Sequence, residues 1–528
     1  MRVLRCGSDA VLIEADDAEQ AQRLHAALRD NPPPGTGELV PAARTVLLRY
    51  DPAVTDPQRL RAAVGALPPQ AAAPAAAAET VRIPVRYDGP DLAEVARLAG
   101  LTPQQVVERH TAARYRVAFC GFAPGFAYLT GLDPRLRVPR RAEPRTRVPA
   151  GAVAVADEYT GVYPRTSPGG WQLLGTTDLP LWDPAADPPT RLRPGTAVRF
   201  VAVGAEGNPG AGVAEGPGAA GEAPAAGRAG RAGRAGRAAE ARGGLLVVRA
   251  GYGATVQDLG RPGLAALGVG RSGAADRGAL RLANRLVGNP EDAAGIEMPL
   301  GGVELEFDRA ATCALAGADC PAWLNGRPVA ARTPLAVPAG ARLRIGTPEH
   351  GLRGYLAVRG GLDVPAVLGS RATDTLAGLG PERLAPGRRL PVGTAATGWP
   401  AADHAPRRER PGPTVLRVVP GPREDWFTAA ALRALCGEPY TVTAESDRVG
   451  MRLAGPVLER SRGGELPSEG MVPGALQVPP SGRPILFLAD HPVTGGYPVI
   501  AVVHRDDLDA AAQARPGDTL RFRVADGR

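Results

Sequence analysis

The stretch Arg193-Pro194-Gly195-Thr196-Ala197-Val198-Arg199-Phe200 returns near the other end of the chain as Arg515-Pro516-Gly517-Asp518-Thr519-Leu520-Arg521-Phe522. In each copy, proline followed by glycine presets a tight turn, and the run after it has the pattern of a strand that closes a sheet. Two further segments keep the same order. Val148-Pro149-Ala150-Gly151-Ala152-Val153-Ala154-Val155 and Ser167-Pro168-Gly169-Gly170-Trp171 precede the first copy. Val472-Pro473-Gly474-Ala475-Leu476-Gln477-Val478 and Val493-Thr494-Gly495-Gly496-Tyr497 precede the second. Weaker copies of the closing element lie at Val337 to Ile345 and Ala385 to Val392. The order predicts a β-barrel or sandwich module used about three times.

Outward from these segments, three low-complexity stretches cut the 528 residues: Pro69 to Glu79, Gly204 to Gly244 and Ala401 to Pro413. Such Gly/Ala/Pro runs bury too little apolar surface to offset their ordering entropy, so 204–244 reads as a disordered tether between two folded halves. The expected fold is mainly β and multi-domain. A small α/β unit occupies 1–79, with strands at Ala10 to Glu14 and Thr45 to Tyr50 and helices at Asp16 to Arg29 and Asp56 to Ala66. A barrel follows at 80–203, opened by a helix from Thr102-Pro103 to about Ala113, and two more barrels are expected at 245–398 and 399–528.

All 62 basic residues are arginine; there is no lysine. A Walker phosphate loop, a Schiff base and covalently attached biotin each need that amine, so this chain anchors none of them. The net charge of +8 invites a nucleic-acid reading. The interleaved aromatics and base-reading motifs that such binding needs are missing, so nucleic acid is not an expected partner. Five cysteines without a CxxC pair suit reduced thiols in the cytoplasm. The first residues lack a continuous apolar core and no run approaches the roughly 20 apolar residues of a membrane span, so no membrane partner is expected. No metal site is expected either.

The densest charge is Arg135, Arg137, Arg140, Arg141, Arg145 and Arg147 against Glu143, a net +5 within thirteen residues. Guanidinium groups match carboxylate and phosphate bidentately, which makes Arg140, Arg141, Arg145 and Arg147 an anion-site candidate; solvated surface arginines are the alternative. Upstream, Phe119-Cys120-Gly121-Phe122-Ala123-Pro124-Gly125-Phe126-Ala127-Tyr128 suits a pocket wall, with Cys120 a buried structural thiol. Gly169, Gly170, Trp171 and Gln172 follow as further lining candidates. In the second half, Gln257, Asp258 and Arg261 form a polar set between glycines, and Ser272 precedes Asp276, the N-cap of a helix to Leu286. Arg448, Glu469, Gln477, Asp490, His491, Thr494, Gly495, Gly496 and Tyr497 complete the set. A carboxylate beside His491 suits a proton relay, although adjacency in sequence does not establish contact.

Gly121 to Leu129, Pro139-Arg140-Arg141 through Arg145, Val148 to Gly151 and Tyr163-Pro164 to Gln172 resemble the B component of bacterial 5-oxoprolinase, the allophanate hydrolase subunit 1 family. Gln257 to Arg261, Ala283 to Asn289, Gly360 to Pro365 and Thr494 to Pro498 resemble its C component, the allophanate hydrolase subunit 2 family. A natural B–C fusion is therefore expected. The resemblance implies cyclophilin-like barrels, ATP with Mg²⁺, a separate A component of 5-oxoprolinase, and opening of 5-oxo-L-proline to L-glutamate by docked halves. The arginine cluster would hold substrate carboxylate or phosphate, Asp258 or Asp490 would orient a metal or water, and His491 and Glu469 would complete the catalytic set. Ala372 and Val449 depart from the serine and methionine usual there. The same modules form the carboxyltransferase of biotin-dependent urea carboxylase, and the family also resembles a kinase inhibitor and its antagonist; both alternatives stay open.

Overall fold

The computed structural model describes residues 1–67, 80–204, 243–400, 403–406 and 412–525. The stretch at 69–79 and nearly all of the expected tether at 204–244 lie outside the described residues, as do 401–402 and 407–411 of the third stretch.

The first unit is a four-stranded antiparallel sheet in the order Arg2–Arg5, Ala10–Glu14, Thr45–Tyr50, Thr36–Pro41, with helices Ala18–Asp30 and Pro57–Gly65. Asp17 caps the first helix through the Gln20 amide. Asp56 caps the second through the Gln58 and Arg59 amides, with Pro57 in its first turn. Strand side chains alternate between faces, so Val11, Ile13, Val46 and Leu48 meet Leu24, Leu28, Leu60 and Val64 of the helices. Ala10, Leu12 and Leu47 point the other way. They pack against Met471, Phe487, Val493 and Val499 of the C-terminal barrel. Both faces of this sheet are thus covered, one of them by the far half of the chain.

The next unit is a seven-stranded sheet in the order Gln172–Thr176, Ala152–Ala156, Tyr159–Val162, Ala127–Thr130, Tyr115–Cys120, Ala197–Ala202, Val81–Val85. Arg86 and Thr176 exchange backbone hydrogen bonds of 2.9 and 2.8 Å, which joins its two edges. Thr102 and Gln105 form a capping box on the helix Pro103–Ala112. The C-terminal unit is a closed barrel in the order Thr414–Pro420, Val499–Val503, Ala475–Gln477, Ile485–Phe487, Gly450–Ala454, Tyr440–Val442, Thr519–Val524.

The repeated stretches take equivalent places in these two units. Thr196 N donates to Arg193 O at 2.9 Å and Asp518 N to Arg515 O at 3.0 Å. Gly195 and Gly517 both adopt φ +92°, a value that favours glycine. Each strand that follows runs parallel to the strand that opens its unit: Phe200 lies opposite Ile83, and Phe522 opposite Leu416. The weaker copies make the same turn, Ala341 N to Pro338 O and Arg388 N to Ala385 O, both at 3.2 Å. They belong to the unit 243–398, where a six-stranded and a five-stranded sheet share one apolar core. The barrel expected there takes the form of two packed sheets. The helix Arg277–Leu286, capped by Asp276, lies on the outer face of the five-stranded one, with Ala283 and Leu286 against Ala314, Ala316 and Ala357.

Among the described residues, all five cysteines are free, and no helix is long and apolar enough to cross a membrane.

Candidate functional site

The two halves of the chain meet along a buried seam. Beyond the apolar contact of the first sheet, the loop after strand Tyr115–Cys120 inserts against the C-terminal half. Phe122 N donates to Thr494 Oγ1 at 3.3 Å, and Gly125 N donates to Leu267 O at 3.0 Å. A side chain at Gly121 would run into the Thr494 hydroxyl, so glycine is what permits this approach. Phe122 adopts φ +64° and is partly exposed, an uncommon conformation for a bulky residue. Behind it Phe126 packs edge-to-face on Tyr128, Tyr163 and Trp171, with centroids 5.1 to 5.3 Å apart. The expected pocket wall is therefore an aromatic cluster behind the seam. Cys120 is buried, and burial pushes its thiol up to about 12, which suits the structural role expected of it.

The arginine-rich loop is partly self-neutralised. Arg141 and Arg145 both grip Asp91 Oδ1, at 3.0 and 2.7 Å, while Leu173 N donates to Asp91 Oδ2 at 2.8 Å. Burial pushes the Asp91 carboxyl up, but these donors outweigh it and hold it below its ordinary range. Arg140 pairs with Asp157 at 3.4 Å and Arg147 is exposed. Gly170 O accepts from Arg141 N, Gln172 Nε2 donates to Pro139 O, and Gly169 lies against the Tyr163 ring. These contacts give Gly169, Gly170 and Gln172 a loop-shaping role, while Trp171 belongs to the aromatic cluster.

Glu469 lies where the first sheet meets the C-terminal barrel. Arg423 Nε donates to its two oxygens at 3.0 and 3.1 Å, and Arg423 Nη2 also reaches Glu14 Oε1 at 2.9 Å. Arg2 Nε holds the other Glu14 oxygen at 2.6 Å. Burial outweighs the arginine at Glu469 and raises its pKa; at Glu14, burial acts upward but the two arginines prevail and lower it. Beside this chain of charges is a cavity of about 240 Å³. Ser468 lines it, and its carbonyl oxygen accepts from Ala43 N at 3.0 Å. Glu469 pairs with Gly495 and Gly470 with Thr494 in a short two-stranded sheet, and Gly496 O accepts from Leu466 N. Gln477 Nε2 donates to Tyr497 O at 3.2 Å, and Arg460 sits 5.7 Å from the Tyr497 ring centre.

A second polar cluster joins the two units of the C-terminal half. Asp490 Oδ1 accepts from Ser272 Oγ at 2.6 Å and Arg448 Nη2 at 3.0 Å; Oδ2 accepts from Arg448 Nε at 3.0 Å and from Thr375 N and Oγ1 at 2.9 and 2.7 Å. Arg448 also bonds Glu297 and Gly273 O. Burial acts against the charge on Asp490 and Glu297, yet Arg448 holds both carboxylates low. Asp258 is equally occupied, by Gly260 N, Ser370 Oγ and Arg371 N at 2.6 to 2.7 Å. Arg261 donates to Ala372 O, and Gln257 Nε2 to Thr255 Oγ1 and Thr373 O. His491 Nδ1 donates to Pro492 O at 2.8 Å rather than bonding Asp490, and burial lowers its pKa to about 4. Asp374 lies 3.8 Å from Arg261; burial and the Asp490 charge raise it to about 6.

These geometries bear on ATP with Mg²⁺. Mg²⁺ needs carboxylate oxygens free to coordinate, whereas those of Asp258 and Asp490 are filled by protein donors. Among the described residues, no group of three or more His, Cys, Asp or Glu is arranged to hold a metal ion. The seam cavity is also smaller than the roughly 300–1,000 Å³ usual for drug-sized ligands, a class that a nucleotide exceeds or equals. The Mg²⁺ nucleotide does not fit these residues.

Residues 1–192 match the carboxyltransferase domain family, subdomains C and D, and residues 267–524 match its subdomains A and B. The 5-oxoprolinase C component of Escherichia coli (strain K12) is 40% identical over 281 residues, 53% of this chain and 90% of that protein. The chain belongs to the carboxyltransferase-domain family, as a fusion of two halves similar to the B and C components of 5-oxoprolinase. For the B-like half, the 5-oxoprolinase B component of Escherichia coli O157:H7 is 56% identical over 124 residues; the match spans 57% of that relative and 23% of this chain. The crystal structure of TTHA0988 superimposes on this fusion with TM-score 0.82 at 38% identity, covering 98% of this chain and 99% of that one. The urea amidolyase of Lachancea kluyveri is 32% identical over 311 residues, 52% of this fusion but 16% of that enzyme.

Sequence reasoning did not find Glu14, Arg423, Glu297, Asp374 or Asp91. Each is defined by a partner distant in the chain, and only the Gly-Pro-Arg423 turn ahead of Glu424 carried a local signal.

Proposed function

We propose that this chain is the B–C component of an ATP-dependent 5-oxoprolinase, opening 5-oxo-L-proline to L-glutamate in the cytoplasm together with a separate A component. The observation that carries this reading is the seam. Halves similar to the B and C components are docked within one chain through Glu14–Arg423–Glu469 and Phe122–Thr494. The lactam is resonance-stabilised, so its opening needs activation; ATP and Mg²⁺ are assigned to the A component because the carboxylates here are occupied. The work left to this chain is to hold the anionic lactam and offset negative charge developing at the carbonyl oxygen while water adds to the ring carbon, for which pre-placed arginines are suited. Small-molecule binding at the seam, with no nucleic acid or membrane involved, follows from that role.

A second reading is the carboxyltransferase of a urea-carboxylating system, favoured by the family match and by the likeness to urea amidolyase. Without lysine, biotin would arrive on another protein. The test is to mix the purified chain with a candidate A component, ATP, Mg²⁺ and 5-oxoproline and assay glutamate and ADP. Glutamate above that of either protein alone supports the first reading. Turnover only with urea and carrier-bound carboxybiotin moves the assignment to the second.

A further inference from the structure

The barrel-facing side of the first sheet ends in two polar residues. Strand alternation puts Glu14 on the same face as Ala10 and Leu12, and Thr45 on the same face as Leu47. Glu14 and Thr45 are register partners, so they stand side by side where apolar packing stops and the 240 Å³ cavity begins. Across the cavity the C-terminal barrel supplies Arg423, Trp426, Glu469 and Arg462.

The charges do not cancel. Arg2 and Arg423 are matched by Glu14 and Glu469, and Arg462 pairs with Asp425 at 3.1 Å. Arg44 spends one nitrogen on the Asp16 carbonyl oxygen and has no ion pair among the described residues, which leaves its positive charge at the cavity mouth. Thr45 lines the same space, is 2% exposed, and its Oγ1 is buried without a hydrogen-bond partner. A buried unpartnered hydroxyl costs about 1–3 kcal/mol, and a bound polar group removes that cost. Trp426 and Leu466 add apolar surface for a small ring.

We propose that the cavity between the first sheet and the C-terminal barrel binds a small anionic lactam, with its carboxylate at Arg44 and its amide at Thr45. This assigns the substrate-binding site of the proposed function and rests on that reading for the identity of the ligand. The cavity of about 240 Å³ has room for a small ring, and the unmatched cation selects a carboxylate over a neutral amide.

The test is calorimetric titration of the full chain, without the A component or ATP, using 5-oxo-L-proline, neutral 2-pyrrolidinone and sulfate as probes. The expected result is saturable one-to-one binding of 5-oxoproline and at least about tenfold weaker binding of 2-pyrrolidinone, or about 1.4 kcal/mol. Thr45→Val keeps the buried volume and removes the unpartnered hydroxyl, so it should melt at or above the parent chain; Arg44→Gln changes an exposed side chain and should melt like the parent, and both should bind 5-oxoproline at least about tenfold more weakly. No binding, equal binding of 2-pyrrolidinone, sulfate binding as tightly as 5-oxoproline, or unchanged affinity in both variants would overturn the site. Glutamate formation with the A component present and an unchanged KM in both variants would remove this site while leaving the 5-oxoprolinase reading intact. Binding lost in both variants, in a chain that never yields glutamate, would keep the site and remove that reading.

Discussion

Arg423 of the C-terminal barrel reaches Glu14 of the first sheet at 2.9 Å, across 409 positions of sequence, while its other bonds hold the buried Glu469. Removing a guanidinium that compensates buried carboxylate costs about 3–5 kcal/mol, because the remaining charge is left without a partner. Arg423→Met should therefore destabilise the chain by an amount of that order in urea denaturation. Arg2→Ala, at the exposed end of the same chain of charges, should cost about 0–1 kcal/mol. Equal effects of the two would show that burial of the Arg423 pair does not matter.

Gly121 permits the close approach of Thr494. Gly121→Ala should cost about 1–3 kcal/mol by overpacking. Thr494→Ala in the same chain should recover part of that loss, because the hydroxyl is the first atom met. Additive costs in a double-mutant cycle would place the clash elsewhere.

Asp91 neutralises Arg141 and Arg145. Asp91→Ala should convert the loop into an anion site, so that sulfate raises the melting temperature of the variant and leaves that of the parent chain nearly unchanged. An equal sulfate response in both proteins would mean that the loop already binds anions in the parent.

Acid should destabilise the fold well above the ordinary carboxylate range. Burial lowers His25 and His491 to about 4 and His110 to about 3 from an ordinary 6.5. A depressed histidine contributes stability that is present above pH 6.5 and lost as pH falls through the folded value, about 1.4 kcal/mol per unit. Asp374, raised to about 6, acts with the opposite sign: its contribution is full below its ordinary range and lost as pH rises through 6. Glu469 and Glu424, also raised by burial, act in the same direction as Asp374, but the three depressed histidines predict net loss between pH 6.5 and 4, measured as unfolding free energy. Asp374→Asn should make that loss steeper; a flat profile would contradict the sign.

The repeated Pro-Gly turns were legible because turn geometry is local: Gly195 and Gly517 need the same left-handed backbone wherever the strand leads. The helix caps at Asp56, Thr102 and Asp276 were legible for the same reason. The halves were recognisable from Gly121 to Leu129 and from Gln257 to Arg261, but not what those segments touch. Arg141 and Arg145 read as free cations because Asp91 lies 50 and 54 residues away and carries no sign of its role. Asp490 and His491 are neighbours in sequence, yet they take different hydrogen-bond partners. Glu14 is an ordinary strand end until the C-terminal barrel brings Arg423 to it.

If the B-like and C-like halves form one docked unit whose seam is the functional part, the covalent link between them is dispensable once the chain has folded. The most direct measurement inserts a protease site between Gly204 and Gly243, cuts the folded chain, and follows both size and glutamate formation with the A component present. Co-elution of the fragments as a one-to-one complex that retains the activity of the uncut chain is the predicted result. Separation of the fragments, or full activity from one fragment alone, would contradict it.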